Sequence, residues 1–378
     1  MRRPVLRRIN PWLRLYRFMK KLLPILAQRR DLIQSLVVLV MLFIVAVVMS
    51  PGLRKPMVDD LGFMAVTWPQ GWPTFLTASN LTDMLRANAM IGIMALGMTL
   101  VILTAGIDLS VGSILLLASV VTALILEHAG LSVPLAIVGG VLAGGAVGAL
   151  NGVLIAGLRV QPFIITLATM IGIRGLAKKL SDNESINLIT EAGTPSAAFV
   201  STFASKPVMI GTFVVLAAVF SLLLWGTVFG RYVRSLGDNP KASDYAGLPT
   251  RRVLISVYTL IGLLAGIAGV LMCARSSGST NDQGIAAELD VIAVVVIGGT
   301  SLAGGRGSVL GSVIGLLIIA ILKNILGVNG VDQNEQDMIM AGVIIVAVAA
   351  QSLHGPALPD WLRIKTRTSA SNQNVSAN

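Results

Sequence analysis

Residues 129–158 read AGLSVPLAIVGGVLAGGAVGALNGVLIAGL: thirty residues without a charge, with glycine at 140, 144, 148 and 152. Crossing a bilayer core takes roughly 20 apolar residues, and small residues four apart let helices approach closely in lipid. This stretch therefore reads as a tightly packed membrane helix rather than a soluble core element. Nine further runs are apolar and nearly free of charge: Leu32–Leu53, Ala87–Ile107, Leu109–Leu126, Val160–Ile173, Pro207–Gly230, Val253–Ala274, Val291–Gly305, Gly307–Leu322 and Met338–Leu362. Val160–Ile173, Val291–Gly305 and Gly307–Leu322 are short for a crossing. The expected fold class is an all-α polytopic membrane protein of about ten transmembrane helices. Further small-residue spacings, Gly307/Gly311/Gly315 and Gly262/Gly266, indicate a tight bundle in the same way.

The cations orient the chain. With the N-terminus in the cytoplasm and one crossing per run, the inside gaps hold 20 of the 29 Lys and Arg and five acids; the outside gaps hold nine cations and thirteen acids. Cytoplasmic loops of membrane proteins carry the Lys/Arg excess, so both termini are expected in the cytoplasm. The inside balance of +15 and the outside balance of −4 account for the whole net charge of +11, which leaves no excess pointing to nucleic acid. Three regions follow: a basic extension over 1–31, a transmembrane domain over 32–362 with an inside loop at 231–252, and a disordered tail over 363–378. The basic extension, with Trp12, Leu13, Leu15, Tyr16, Phe18 and Met19 among its arginines, has the composition of an interfacial helix lying on anionic lipid.

Several chemistries are excluded or unsupported. A single cysteine, Cys273, rules out an internal disulfide. His128 and His354 are far apart, and no His/Cys/carboxylate cluster has the spacing of a metal site. No G-x-x-x-x-G-K-[ST] loop is present, so the chain does not bind ATP by that route. Asp108, Glu127, Asp290 and Lys323 all fall at expected span ends. An ion-coupled secondary transporter commonly places ionisable residues at bilayer depth, so that class is the alternative.

Four segments stand out. Gly106-Ile107-Asp108-Leu109-Ser110-Val111-Gly112-Ser113 joins two runs with almost no loop, and Asp108 or Ser110 is placed to cap the following helix. The loop 231–252 contains a complete short-helix grammar. Asn239 is an N-cap, Pro240 a first helical residue, Gly247 a terminator, and Pro249 lies just beyond. Such a helix below the membrane is a handle for a cytosolic partner. The third segment, with Gly298, Gly299, Gly304, Gly305 and Gly307, divides two short runs and suggests a discontinuous or re-entrant helix. Irregular backbone of that kind is tolerated at depth only inside protein or along a cavity. The fourth, Val160–Met170, follows Asn151-Gly152. Asn151, Gln161, Thr166 and Thr169 are neutral hydrogen-bonding groups at bilayer depth, suited either to an uncharged polyol pathway or to helix–helix contacts.

In their order along the chain these segments resemble the permease subunit of the ribose-type monosaccharide ABC importers. The likeness is carried by Ala95–Ile102 leading into Gly106–Ser113, then Asn151-Gly152 and Pro162–Thr169. It continues in Gly230-Arg231-Tyr232 with Leu236-Gly237, Asn239, Ala242 and Gly247, and ends in Glu288–Ala293 running into Gly298–Gly307. It covers residues 76–352. The resemblance implies a translocation path formed by two permeases, a second copy or a related chain. It also implies a cytosolic ATPase that carries ATP and Mg, with no cofactor in this chain, and an external solute-binding protein. It places the docking of the ATPase on Asn239, Pro240, Lys241, Ala242, Asp244, Tyr245 and Gly247, and the protein in a bacterial-type inner membrane. The same machine with a nucleoside or branched-chain amino acid as cargo is a close variant. Two departures are visible. The N-terminal extension and the Pro/Trp-rich stretch 54–75 look longer than the family usually shows, and Ala105-Gly106 stands where a Gly-Gly pair is common.

Overall fold

The computed structural model describes residues 30–50, 57–58, 64–65, 73–127 and 132–353. The basic extension up to residue 29, most of the 54–75 stretch, His128, His354 and the C-terminal tail lie outside the described residues. Each of the ten apolar runs carries a helix over most of its described length, except Val291–Gly305, which is helical only to Ile297. The helices are α1 (Arg30–Met49), α2 (Ala78–Leu103), α3 (Val111–Glu127), α4 (Val133–Leu158), α5 (Pro162–Leu180), α7 (Lys206–Gly226), α10 (Thr250–Arg275), α11 (Ala287–Ile297), α12 (Val309–Val328) and α13 (Gln333–Leu353). Among the described residues, three shorter α-helices connect them: α6 (Pro195–Phe203), α8 (Val228–Asp238) and α9 (Pro240–Tyr245). Six of the helices are long and apolar enough to cross a membrane: α1, α2, α4, α7, α10 and α12.

The outer surface fits lipid. Leu36, Val37, Met41, Ile44 and Val48 on α1, and Val214, Val215, Leu222 and Trp225 on α7, are exposed apolar side chains. In water such faces would be costly; against acyl chains they cost nothing. The core lies between α2, α3, α4, α10, α11 and α12, with Met94, Met98, Leu100, Ile114, Tyr258 and Ile261 completely buried.

The glycine spacings do what the sequence indicated. α4 crosses α10 in the most extensive helix contact of the molecule. A Cβ added at Gly144 would lie 2.5 Å from the Gly262 carbonyl oxygen, and one at Gly262 would lie 2.5 Å from the Gly144 carbonyl oxygen. Gly148 meets the Tyr258 carbonyl, and Gly152 the Ile255 backbone. On α12, Gly311 and Gly315 pack against the Gly298 and Val294 carbonyls.

The short runs resolve differently from one another. Val160–Ile173 does not stop at Arg174: α5 continues to Leu180, because the Arg174 guanidinium finds backbone carbonyls and Lys178 and Lys179 occupy the last turn, where cations suit the helix dipole. Gly307–Leu322 likewise continues as α12 through Lys323, which is neutralised by Asp290 at 2.6 Å. Only α11, eleven residues long, is truly short. Its irregular portion precedes it: residues 276–286 link α10 to α11, while the glycines at 298–307 form the connector to α12. The run Pro207–Gly230 is divided at Thr227, which ends α7 and caps α8 by accepting from the Gly230 N–H at 3.2 Å.

Candidate functional site

Two irregular segments meet inside the bundle. The first, 104–110, follows α2. After the expected turn at Thr104-Ala105 the chain runs without helix as far as Val111, with Asp108 and Ser110 fully inaccessible. Asp108 Oδ1 accepts from the Ser110 N–H at 2.8 Å and from its hydroxyl at 2.6 Å. This is the side-chain turn that Asp favours ahead of a helix. The Asn151 amide of α4 donates to Ser110 Oγ at 2.9 Å, and the Thr169 hydroxyl of α5 donates to Asn151 Oδ1 at 2.7 Å. Thr166 donates to the Ile107 carbonyl at 3.3 Å. Asp108, Ser110, Asn151, Thr166 and Thr169 are thus one network fastening the segment to α4 and α5, and in this conformation those side chains serve helix–helix contacts. Gln161 stands apart, exposed at the start of α5. Asp108 Oδ2 and the Tyr258 hydroxyl are buried without hydrogen-bond partners.

The second segment, 276–286, is held from three sides. Gly278 and Ser279 pair antiparallel with Asn187 and Ile186. Gln283, buried, accepts from the Ser119 hydroxyl at 2.7 Å and donates to Ser276 Oγ at 2.7 Å. Arg174 of α5 donates to the Gln283 and Gly284 carbonyls at 3.3 and 3.1 Å. The two segments touch reciprocally: a Cβ on Gly112 would strike the Gly284 carbonyl, and one on Gly284 would strike that of Gly112. The starts of α3 and α11 therefore meet in the interior. Arg174, Gln283 and Ser119 were not singled out by sequence; the one available signal was that an arginine directly follows an apolar run.

The third component lies at the end of the molecule where α2 and α7 finish. Asn239 accepts from the Ala242 N–H at 3.0 Å through its side chain, Pro240 is the first residue of α9, and Gly247 has φ +73°, a backbone that suits glycine. The short-helix grammar is therefore realised residue for residue. α9 is anchored by Ser243, whose hydroxyl donates to the Ser235 carbonyl at 2.9 Å, and by Thr250, which donates to Asp244 Oδ1 at 2.6 Å. Its outward face is free: Lys241, Ala242 and Asp244 are exposed, and Tyr245 is 91% exposed. α8 seats this unit on the bundle through Val233, Leu236 and Gly237, all buried. Gly237 packs against the Leu103 carbonyl, which itself accepts from the Gly305 N–H at 3.0 Å. Gly304 and Gly305, both with positive φ, thereby bring the 298–308 connector against the end of α2. Leu103 immediately precedes the 104–110 segment, so α8, which carries the exposed helix, touches the end of α2 five residues ahead of Asp108.

A polytopic helical bundle with two interior breaks and an exposed, capped helix at one end is the architecture of a membrane permease component. The chain belongs to the family described as branched-chain amino acid transport system / permease component, whose pattern it matches over residues 80–349. It is 40% identical over 283 residues to the ribose import permease protein RbsC of Escherichia coli K12, covering 73% of this chain and 86% of that one. It is 41% identical over 279 residues to RbsC of Bacillus subtilis, covering 73% and 85%. The L-arabinose ABC transporter permease protein AraH of Azospirillum brasilense is 38% identical over 276 residues, covering 73% and 80%. No solved structure matches the chain significantly.

Proposed function

We infer that this chain is the permease subunit of an ABC importer for a monosaccharide. The sugar class follows from relatives named for ribose and L-arabinose, joined by D-allose and galactofuranose permeases of Escherichia coli. In this reading all ten apolar helices cross the inner membrane, α3 and α11 doing so together with the irregular segments that precede them. Both termini and α8–α9 are cytoplasmic, in keeping with the Lys/Arg distribution. ATP and Mg bind to a separate ATPase chain, an external binding protein delivers the sugar, and a second permease copy or a related chain completes the path. Hydrolysis is not performed by this subunit.

The observation that carries the reading is the exposed helix Pro240–Tyr245. Its cap and anchors, Asp244 among them, are built from this chain, while the exposed Lys241 and Tyr245 are left for a partner. Movement imposed there by an ATPase would reach Leu103 through Gly237 and Gly305, and from Leu103 the segment 104–110. Asn151, Thr166 and Thr169, with Gln161 at the cytoplasmic start of α5, are assigned to the path walls: once 104–110 shifts, their amide and hydroxyl groups exchange each other for sugar hydroxyls. The test is co-purification of the tagged chain in mild detergent. A stoichiometric ATPase should accompany the native chain and be lost from the Tyr245→Ala and Asn239→Ala variants, which should keep the native elution volume. An unaltered ATPase partner in both variants would remove this helix from the interface.

A further inference from the structure

On the face opposite α8–α9, two arginines lie near one another, neither of them in an ion pair among the described residues. Arg275 is the last residue of α10, and its Nη1 donates to the Ala87 carbonyl of α2 at 3.1 Å. Ala87 adjoins Arg86, whose Nε is buried without a hydrogen-bond partner, so the Arg275 guanidinium is held next to the Arg86 position on α2. The neighbouring carboxylate is Asp83, and it is already engaged: Lys206, the first residue of α7, holds it at 2.8 Å and Ser79 donates to it at 3.3 Å. Among the described residues the ion pairs are Lys206–Asp83 and Lys323–Asp290, so neither arginine has an acidic partner there. Lys206 thus pairs with the one carboxylate near Arg86, three residues away on α2, and Arg275 brings a further cation to the same end of α2.

Guanidinium groups stay charged in proteins, and two placed side by side repel unless an anion lies between them. Depth indicates which anion. Arg252 and Arg275 are 23 residues apart on α10, or about 35 Å at 1.5 Å per residue, against a hydrocarbon core about 30 Å thick. The two ends of α10 therefore lie at the two headgroup levels. Arg86, nine residues into α2, reaches the Arg275 level because α2 begins about 12 Å further out. A phosphate presents several oxygens to planar guanidinium forks and is the anion that a bilayer supplies at this depth.

We propose that Arg86 and Arg275 form a phosphate-binding site at the outer membrane boundary, filled by the headgroup of a phospholipid. The lipid phosphate bridges the two guanidinium groups, offsets their repulsion and ties α2 to α10 at the end remote from α9. The site is separate from the proposed sugar path and ATPase contact, so it stands or falls independently of the transport reading.

The test uses the purified full chain in a phosphate-free detergent, with thermal unfolding followed during titration with dihexanoyl phosphatidylglycerol, inorganic phosphate or dihexanoyl glycerol. The short-chain phospholipid should raise the midpoint, and the phosphate-free lipid should not. Each of Arg86→Gln and Arg275→Gln should weaken the apparent affinity about tenfold, as expected for loss of one charged hydrogen-bonding partner, while Lys178→Gln/Lys179→Gln, basic residues at the same end, should retain the native response. A response of the arginine site to inorganic phosphate equal to that for the phospholipid would support the phosphate site and assign it a soluble ligand. Identical titrations for the native chain and both arginine variants, or an equal response to dihexanoyl glycerol, would overturn the proposal.

Discussion

The crossing of α4 and α10 sets a quantitative expectation for Gly144→Ala. The new Cβ would lie 2.5 Å from the Gly262 carbonyl oxygen, 2.8 Å from Gly266 Cα and 2.9 Å from Gly266 N. All three neighbouring groups are backbone, so no side chain can rotate away. Restoring ordinary contact moves the helices apart by about 1 Å, and a gap of that size forfeits a quarter to a half of each dispersion well across the interface. Overpacking of this kind costs about 1–3 kcal/mol, against which alanine returns up to about 1 kcal/mol of helix propensity; the net expectation is a loss of about 1–2 kcal/mol. Gly211→Ala on α7 is the matched control. Nothing lies within 4 Å of its added Cβ, so only the propensity gain remains. Gly144 and Gly262 meet the same gap from opposite sides, so once the helices separate for one methyl the second is accommodated cheaply. The double variant should therefore cost little more than either single one, a departure from additivity expected of contacting residues. Unfolding of the purified chain in mixed micelles, by denaturing-detergent titration, measures all four. The packing argument is refuted if Gly144→Ala is neutral, if Gly211→Ala loses as much, or if the double variant shows the plain sum.

Three further outcomes follow from individual contacts. Asn151→Asp sets a second carboxylate beside Ser110, whose hydroxyl already donates to Asp108, and should cost about 3 kcal/mol as an uncompensated buried charge, whereas Asn151→Ser should cost about half as much; both are read by the same titration. Lys323→Met strands the partly buried Asp290 and should destabilise by roughly 2 kcal/mol, most of it recovered when Asp290→Asn is added, as a double-mutant cycle will report. Gly237→Ala forces a methyl against the Leu103 carbonyl and the Gly305 nitrogen; ATPase co-purification should persist while reconstituted uptake falls roughly tenfold or more, the equivalent of 1.4 kcal/mol in the coupling step.

The fold was legible because lipid imposes a strong constraint: backbone must satisfy itself, so uncharged runs become helices. Among the described residues the apolar runs other than Val291–Gly305 are helical over most of their length, and six of the helices are long and apolar enough to cross a membrane. The boundaries were less legible, because a charge was read as the end of a run. Arg174 and Lys323 show why that rule fails: each lies within a helix because a distant part of the chain, the Gln283 and Gly284 carbonyls or Asp290, meets its charge. No local pattern announces such a partner. The reverse held at residues 239–247, where the cap, the proline and the positive-φ glycine are local devices, and the short helix could be read from spacing alone. The site divides in the same way. Asn151, Thr166 and Thr169 stand out in the sequence as polar groups at depth, but that they close on the 107–110 stretch depends on an irregular segment folded into the bundle. Gln283, surrounded by loop residues in the sequence, gave no sign that it is buried and fully bonded.

The central claim is ATP-driven sugar import through this subunit. It is tested most directly in proteoliposomes containing this chain, its co-purified ATPase and the cognate binding protein, with radiolabelled ribose as the first probe and other monosaccharides to follow. Uptake should require ATP on the ATPase side and the binding protein on the other, and should persist when ion gradients are collapsed. Uptake by this chain alone, driven by an ion gradient with no ATPase present, would contradict the account.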